Sequence, residues 1–510
     1  MAKKLPKSKL AEAGPGAGKT HAMVDEIVAA IQVLPPHRFL AAITYTNAAA
    51  NTIRERVSRR VRLRRNIFVG TTHSFVNRFV LAPCAELLSL LPEDRIYAPV
   101  DVHEKGQGAA RYTKNLINKG IVPYDAMIPI TRKILKTSGI RDRICGRLAY
   151  IFVDEFQDAD IGMFEVFEHF RKAGKIALYV VGDPEQYVMS FAYRGQTPPK
   201  FNRIPFFRFK KVAESKPITE NHRSNGEIVT FANQFREELQ QQAVKPNRNE
   251  PRVLFITATS LEEIVRRYQA LSGNVEIEEK PRTRLYLSEE NATFDSVRDQ
   301  FHLTPISNVG RKTRTLLGDA LELLSVALER SQGKACKEFG LSRLQWRAVG
   351  TQLLKNLRAG QYGIDRLVMF VADEFGHKVS RSRIKLIEEG LSILSSELAR
   401  GKLTQITELY ASIRKAKGLQ ADAALVVAKG IAELKKWLQT DRSLRVADKQ
   451  DKCRLGYVAF TRPKEMLCIA CLKEIDEELI HILQNVGIVT VAENAAGEGS
   501  DSEAKKTPHE

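Results

Sequence analysis

Ala13-Gly14-Pro15-Gly16-Ala17-Gly18-Lys19-Thr20 separates a short basic leader from Thr20-His21-Ala22-Met23-Val24-Asp25-Glu26-Ile27-Val28, whose apolar spacing predicts a helix. The three glycines let the backbone curl until successive N–H groups face a phosphate, and the following helix N-terminus adds its dipole. In this pattern Lys19 reaches the β- and γ-phosphates, the Thr20 hydroxyl ligates Mg²⁺, and His21 follows in the first helical turn. Ala13 stands where the G-x-x-x-x-G-K-[ST] pattern has its first glycine.

A nucleotide site also needs carboxylates. Ala149-Tyr150-Ile151-Phe152-Val153 is a short apolar run of the buried-strand kind, and it ends in Asp154-Glu155-Phe156-Gln157-Asp158. Asp154 is placed to hold Mg²⁺ through water, and Glu155 to polarise an attacking water. A second run, Ile176–Val181, ends in Gly182-Asp183-Pro184-Glu185-Gln186. The Gln186 amide there can donate to a γ-phosphate.

Composition points the same way. The 510 residues carry 79 Lys+Arg against 60 Asp+Glu, a net charge of +19 that favours a polyanionic partner. Six cysteines in so long a chain make no disulfide framework, and Cys468-Ile469-Ala470-Cys471 lies on an apolar strand-like run that reads as core. The sequence shows no signal peptide and no apolar stretch long enough for a bilayer, so a cytoplasmic protein without a membrane partner is expected.

In their order along the chain these segments resemble the motifs of superfamily 1 helicases of the UvrD/Rep type. Beside the phosphate loop, Ala41–Ala50 (with Tyr45, Thr46 and Asn47) resembles motif Ia, and Gly70-Thr71-Thr72-His73-Ser74-Phe75 resembles motif Ib. Asp154–Asp158 is similar to motif II, and Val181–Gln186 through Arg194-Gly195 to motif III. Glu220-Asn221-His222-Arg223-Ser224 resembles motif IV, Ser412–Gln420 motif V and Arg454–Arg462 motif VI. The resemblance implies that Arg223 and Arg462 reach across a cleft to the γ-phosphate of ATP, and that His222 stands where a tyrosine usually stacks on the base. It also implies that Tyr45, Thr46, Asn47, His73, Phe191, Tyr193 and Arg414 meet single-stranded DNA. Travel along that strand would run 3′ to 5′. The chain departs from the family in lacking a glutamine upstream of the loop, in Arg414 for the usual His and Gln420 for the usual Glu, and in the two extra residues Ala192 and Tyr193.

The fold expected is α/β, with two RecA-like P-loop motor domains of parallel sheet and flanking helices, each interrupted by a mainly helical insertion. Residues 1–80 and 145–205 form the first domain, with 81–144 inserted. Residues 206–305 and 401–490 form the second, with 306–400 inserted, and 491–510 read as a disordered acidic tail. Arg54, Arg56, Arg59, Arg60, Arg62, Arg64 and Arg65 suggest a surface that tracks a nucleic-acid backbone. Residues 335–347 have a faint helix-turn-helix pattern, against which ordinary helical packing is the stronger reading. Compact helicases of this kind also resemble the helicase subunits of two-gene Gabija-type antiphage systems. That resemblance implies a nucleic-acid-triggered NTPase with a nuclease partner and little unwinding. A DNA-binding scaffold with a dead ATPase is the third alternative, and the full set of Lys19, Asp154, Glu155, Gln186, Arg223 and Arg462 argues against it.

Overall fold

The structure, a computed structural model, describes residues 8–84, 98–100, 109–118, 120–193, 197–246, 252–258, 260–273, 283–306, 316–330, 332–358, 363–381, 383–384, 387–388, 390–391 and 407–491. The tail read as disordered, from 492 onward, and the Arg194-Gly195 end of the motif III segment lie outside these residues.

The first sheet has six strands: β1 (Lys9–Ala13), β2 (Phe39–Thr44), β3 (Ile67–Thr71), β4 (Leu148–Val153), β5 (Ala177–Gly182) and β6 (Glu214–Ile218), in the order β3-β2-β4-β5-β1-β6. Its pairings are parallel. Alternate residues of each strand enter different cores, because successive side chains point to opposite faces. Ala41, Ile43, Ile151 and Val153 pack beneath the helix Ile161–Lys172. Leu40, Ala42 and Phe152 pack beneath α1 (Lys19–Gln32) and α2 (Asn47–Ser58). A sheet covered on both faces explains the unbroken apolar runs that mark its central strands in the sequence.

Two features depart from the expected layout. The sheet runs past residue 205 to Ile218, because Glu214-Ser215-Lys216-Pro217-Ile218 pairs with β1 as an edge strand. Its residues are mostly exposed and one is proline, which an edge tolerates and a central strand does not. Within 81–144, the helices Tyr124–Lys136 and Ser138–Arg147 set Met127, Ile134, Leu135 and Ile144 into the same core as the first sheet, so this part does not stand apart from it.

The second sheet has seven strands: β7 (Val253–Ile256), β8 (Thr283–Ser288), β9 (Thr304–Pro305), β10 (Thr407–Ser412), β11 (Ala421–Ala428), β12 (Pro463–Cys471) and β13 (Val489–Val491), ordered β9-β10-β8-β11-β12-β7-β13. Again both faces are covered: Val253, Leu285, Val426 and Ile469 lie in one core and Leu254, Tyr286, Leu425 and Cys468 in the other. Cys468 and Cys471 are buried free thiols within β12. The helix Lys452–Phe460 crosses the helix Ile431–Trp437 so closely that a Cβ on Gly456 would lie 2.6 Å from Trp437 Cβ and 2.7 Å from its carbonyl oxygen. Neither neighbour is the end of a flexible side chain. Gly456→Ala should therefore cost about 1–3 kcal/mol, read as a lower urea midpoint; an unchanged midpoint would show that the two helices can separate freely.

Both sheets fall in one compact unit; a second is built on Val309–Thr407. It has its own core, where Trp346 is fully buried and lies 5.9 Å from the Phe375 ring. Ala335 of the preceding helix is buried in the same core, so the segment with the faint helix-turn-helix pattern packs inward. Among the described residues no helix is long and apolar enough to cross a membrane.

Candidate functional site

The phosphate-loop segment leaves β1 and enters α1 with Gly16 and Gly18 at φ 76° and 73°, a region open to glycine and strained for other residues. Gly18 is the N-cap of α1 and supplies no side-chain cap, so the first N–H groups of that helix are free to meet a ligand. Ala13 ends β1 and is fully buried, without a positive φ; an alanine fits where the chain is still extended. Gly14 and Pro15 are buried, and the Ala17 N–H donates to the Gly14 carbonyl at 3.3 Å. The loop is braced from 206 residues away: Asn221 Nδ2 donates to the Pro15 carbonyl at 2.9 Å, and the His222 N–H to the Gly16 carbonyl at 3.0 Å.

Across from the loop, β4 delivers Asp154 and Glu155. The Asp154 N–H donates to Ile43 O at 2.9 Å, continuing the ladder one residue past the strand. Lys19 Nζ lies 3.8 Å from Glu155 Oε2. Burial, and then the neighbouring Glu155, push the Asp154 carboxyl up to about 7, against the pull of Lys19 and a Thr20 hydroxyl hydrogen bond. Burial works against ionisation of Glu155 too, yet Lys19, Lys417, the Gln157 amide and Arg462 overcome it and hold that carboxyl down, to about 2. One carboxylate is thus fixed as the anion beside Lys19. The other sits with a hydroxyl in a buried hard-oxygen set, a donor chemistry that suits Mg²⁺. Glu155 has φ 51°, a left-handed conformation that costs a residue with a Cβ about 1–2 kcal/mol. The turn that imposes it aims the side chain back at Lys19.

From the second sheet's side, the segment that follows β12's neighbouring helix brings Arg462, and the loop after Asn221 brings Arg223. Both guanidinium groups are deeply enclosed: burial and the nearby Arg223 lower Arg462 to about 9, and burial lowers Arg223, while Glu155 acts on both in the opposite sense. Arg462 Nη2 donates to Gln186 Oε1 at 3.4 Å, and Arg223 Nη1 to the Thr461 carbonyl at 3.1 Å. Gln186 Nε2 does not point away from the protein but donates to Asp183 Oδ2 at 2.9 Å.

Two residues of this site are not singled out by sequence reasoning. Gln157, fully buried, donates to Glu155 Oε2 at 2.5 Å and accepts from the Asp183 N–H at 3.0 Å, joining the two acidic strand ends. Lys417 donates to Asp158 at 2.6 and 2.7 Å and to the Gln186 carbonyl at 2.9 Å, so the loop after β10 is bolted to both strand ends. A lysine inside a recognised motif and a glutamine two residues after a catalytic-type acid are the signals that point to them.

The remaining residues lie at or near the surface to different degrees. His21 is exposed, 3.8 Å from Asp25; the His222 ring is exposed, 3.1 Å from Glu220. Tyr45 packs against the first core with its hydroxyl enclosed, Thr46 caps α2 by accepting the Ala49 N–H at 3.1 Å, and Asn47 is the first, exposed residue of that helix. His73 is exposed, its ring edge-on to Tyr124 at 5.4 Å. Phe191 is 50% exposed, with the Arg414 guanidinium 5.8 Å from its ring centre, and Tyr193 is half-buried. Of the clustered arginines, Arg54 donates to the Val69 carbonyl at 2.7 Å and Arg59 pairs with Glu55 at 2.5 Å; Arg60 meets Asp25, whereas Arg56, Arg62, Arg64 and Arg65 are exposed.

A glycine-rich loop between a parallel strand and a helix, faced by strand-end carboxylates and by arginines from a second parallel sheet, defines a two-sheet P-loop protein. Residues 2–105 and 99–204 match the UvrD/REP helicase N-terminal domain. Over those residues the chain is similar to helicases of the UvrD/Rep type. It is 29% identical over 236 residues to Gabija protein GajB of Bacillus cereus, across 45% of this chain and 46% of that one. It is 24% identical over 272 residues to the ATP-dependent DNA helicase Rep of Escherichia coli, across 43% and 40%. A shorter stretch of 67 residues, 13% of this chain and 6% of the other, is 34% identical to the RecBCD enzyme subunit RecB of Buchnera aphidicola. The chain spans less than half the length of the curated relatives it matches.

Proposed function

We propose that the chain is a DNA-dependent ATPase that moves 3′ to 5′ along single-stranded DNA as a UvrD-type helicase or translocase. The observation that carries this reading is the convergence of Lys19 and Glu155 from the first sheet with Arg223 and Arg462 from the second around one phosphate loop. In this reading the loop N–H groups and Lys19 hold the triphosphate, and Glu155, kept ionised, accepts a proton from the attacking water. Thr20 and Asp154 would hold Mg²⁺, which when bound screens the phosphate charge. Arg223 and Arg462 meet the charge that spreads over the transferring phosphoryl group. Because they come from the second sheet, nucleotide turnover is coupled to movement between the sheets. Arg414 and Phe191, adjacent and partly open, are placed to stack against bases. Hydrolysis measured with and without single-stranded DNA, and unwinding of duplexes with a 3′ or a 5′ tail, test the reading. Equal ATPase rates with and without DNA would refute the DNA dependence, and unwinding from 5′ tails would refute the polarity.

The likeness to GajB favours a second reading, in which the chain is a nucleic-acid-triggered NTPase that works with a nuclease subunit in antiphage defence and separates strands weakly. Strong DNA-stimulated hydrolysis with little unwinding, together with co-purification of a nuclease encoded beside it, is the result that selects this reading.

Base recognition is the open side of the proposed site. The His222 ring is small and exposed, and the described contacts around the loop meet phosphate and metal positions that all nucleoside triphosphates share. A site that does not hydrogen-bond the base edge lacks the penalty that unpaired polar groups place on the wrong base. The kcat/KM values for ATP and GTP should therefore differ by less than about a hundredfold. A larger preference would reveal an adenine reader elsewhere in the chain or in a partner.

A further inference from the structure

Asp183, wholly buried at the end of β5, is a carboxylate with four donors. Oδ1 accepts from the Glu185 N–H at 3.2 Å and from Arg236 Nη2 at 3.3 Å; Oδ2 accepts from Gln186 Nε2 at 2.9 Å and from the Tyr457 hydroxyl at 3.3 Å. The acid therefore sets the direction of the Gln186 amide, whose other end faces Arg462.

Arg236 spans three parts of the chain. Nη1 donates to the Tyr457 hydroxyl at 2.6 Å while Nη2 meets Asp183, a two-point contact that a planar guanidinium makes and an ammonium does not. The same side chain packs against the phosphate loop, since a Cβ added to Gly14 would strike Arg236 Nη1. Tyr457 lies on the helix Lys452–Phe460, which ends two residues before Arg462. One side chain thus touches the loop that would grip the triphosphate, the acid that orients Gln186, and the helix that presents Arg462.

Stability alone is a poor account of this arrangement. Arg236 and Asp183 are both buried, and Arg236 Nε finds no hydrogen-bond partner. Enclosing such a pair costs solvation that its attraction barely returns, and apolar residues of the same volume serve packing at least as well.

We propose that Arg236 is a positioning residue, holding Asp183 so that Gln186 stays aimed at Arg462 when the phosphate loop is filled. The inference rests on the hydrolytic reading above. It predicts that Arg236→Met lowers kcat for ATP at least about thirtyfold with KM changed less than about threefold, because the aimed group acts in the transition state. Asp183→Asn should do the same. The double variant Asp183→Asn/Arg236→Met should have a kcat within about twofold of the worse single variant, as expected for residues that act as one unit. Arg236→Lys should restore the thermal midpoint of Arg236→Met but not its kcat. A wild-type kcat in Arg236→Met, or losses in kcat and KM that multiply in the double variant, would overturn the proposal in favour of a plain packing role. If Arg236→Met does not fold, Tyr457→Phe removes the hydroxyl that Arg236 and Asp183 share, and the same split between kcat and KM decides. Wild-type protein that fails to hydrolyse ATP on DNA would instead remove the hydrolytic reading itself, which these variants leave untouched.

Discussion

Glu155→Gln is expected to reduce ATP hydrolysis by about 10²–10⁴-fold while ATP continues to bind. The argument is geometric and electrostatic together. Glu155 lies 3.8 Å from Lys19, and although burial opposes its ionisation, Lys19, Lys417, the Gln157 amide and Arg462 hold it below the usual carboxylate range, as the anion at neutral pH. Glutamine has the same shape and still accepts a hydrogen bond, but it cannot take a proton from water. The metal-ligand candidates Thr20 and Asp154 are unaltered by this change, so Mg²⁺ and triphosphate keep their contacts. Lys19→Ala should also abolish hydrolysis, with the difference that nucleotide affinity falls as well. Binding of a fluorescent ATP analogue beside a phosphate-release assay separates the two variants. Hydrolysis near the wild-type rate in Glu155→Gln would remove that residue as the base and turn attention to water held by other groups.

The arginines should give the other large effect. Arg223→Ala and Arg462→Ala are each expected to lower turnover by about 10³-fold or more, the scale on which cross-cleft arginines act in phosphoryl transfer. Negative charge grows on the equatorial oxygens only as the bond to the leaving oxygen stretches, so these contacts strengthen in the transition state. KM should consequently move far less than kcat. The structure adds a distinction between the two. Arg462 is anchored by donations to the Val458 carbonyl at 2.7 Å and the Leu419 carbonyl at 3.2 Å, so its loss removes more hydrogen bonds than that of Arg223 and lowers stability as well. Arg223 has a buried Nε with no partner, and its loss disturbs the fold less. A change confined to KM in both variants would sink the cross-cleft assignment.

Much of this was legible in the sequence because a doubly covered parallel sheet writes itself as short apolar runs, and phosphate chemistry sits at their ends. Ile151-Phe152-Val153 before Asp154, and Val180-Val181 before Gly182-Asp183, are such runs, and β4 and β5 lie side by side in the structure. The edge strand Glu214–Ile218 was illegible for the opposite reason: with most of its side chains in solvent, pairing with β1 leaves no apolar signature. Residues that act through contacts far along the chain were hidden too. Arg236 meets Tyr457 from 221 positions away, a separation that carries no period, and Lys417, although it stands inside the motif V segment, meets Asp158 from 259, a pairing the motif does not announce. In the sequence Asp183 is only a member of a recognised string, and its role as the acceptor of four donors emerges from the fold alone.

The strands at the edge of the second sheet carry one more consequence. β9 and β10 run parallel, with Thr304 opposite Leu409 and Pro305 opposite Tyr410, and the chain between them forms the unit built on Val309–Thr407. Parallel neighbours cannot be joined by a tight turn; the chain must recross the sheet, which takes about a dozen residues. To the sheet, residues 306–406 are that one crossover. Its minimum length is set by β9 and β10, and everything beyond the minimum is free of the sheet's demands. Length, surface and partner of the crossover can therefore diverge among relatives while the register of the strands on either side, and the cleft they support, stays as it is.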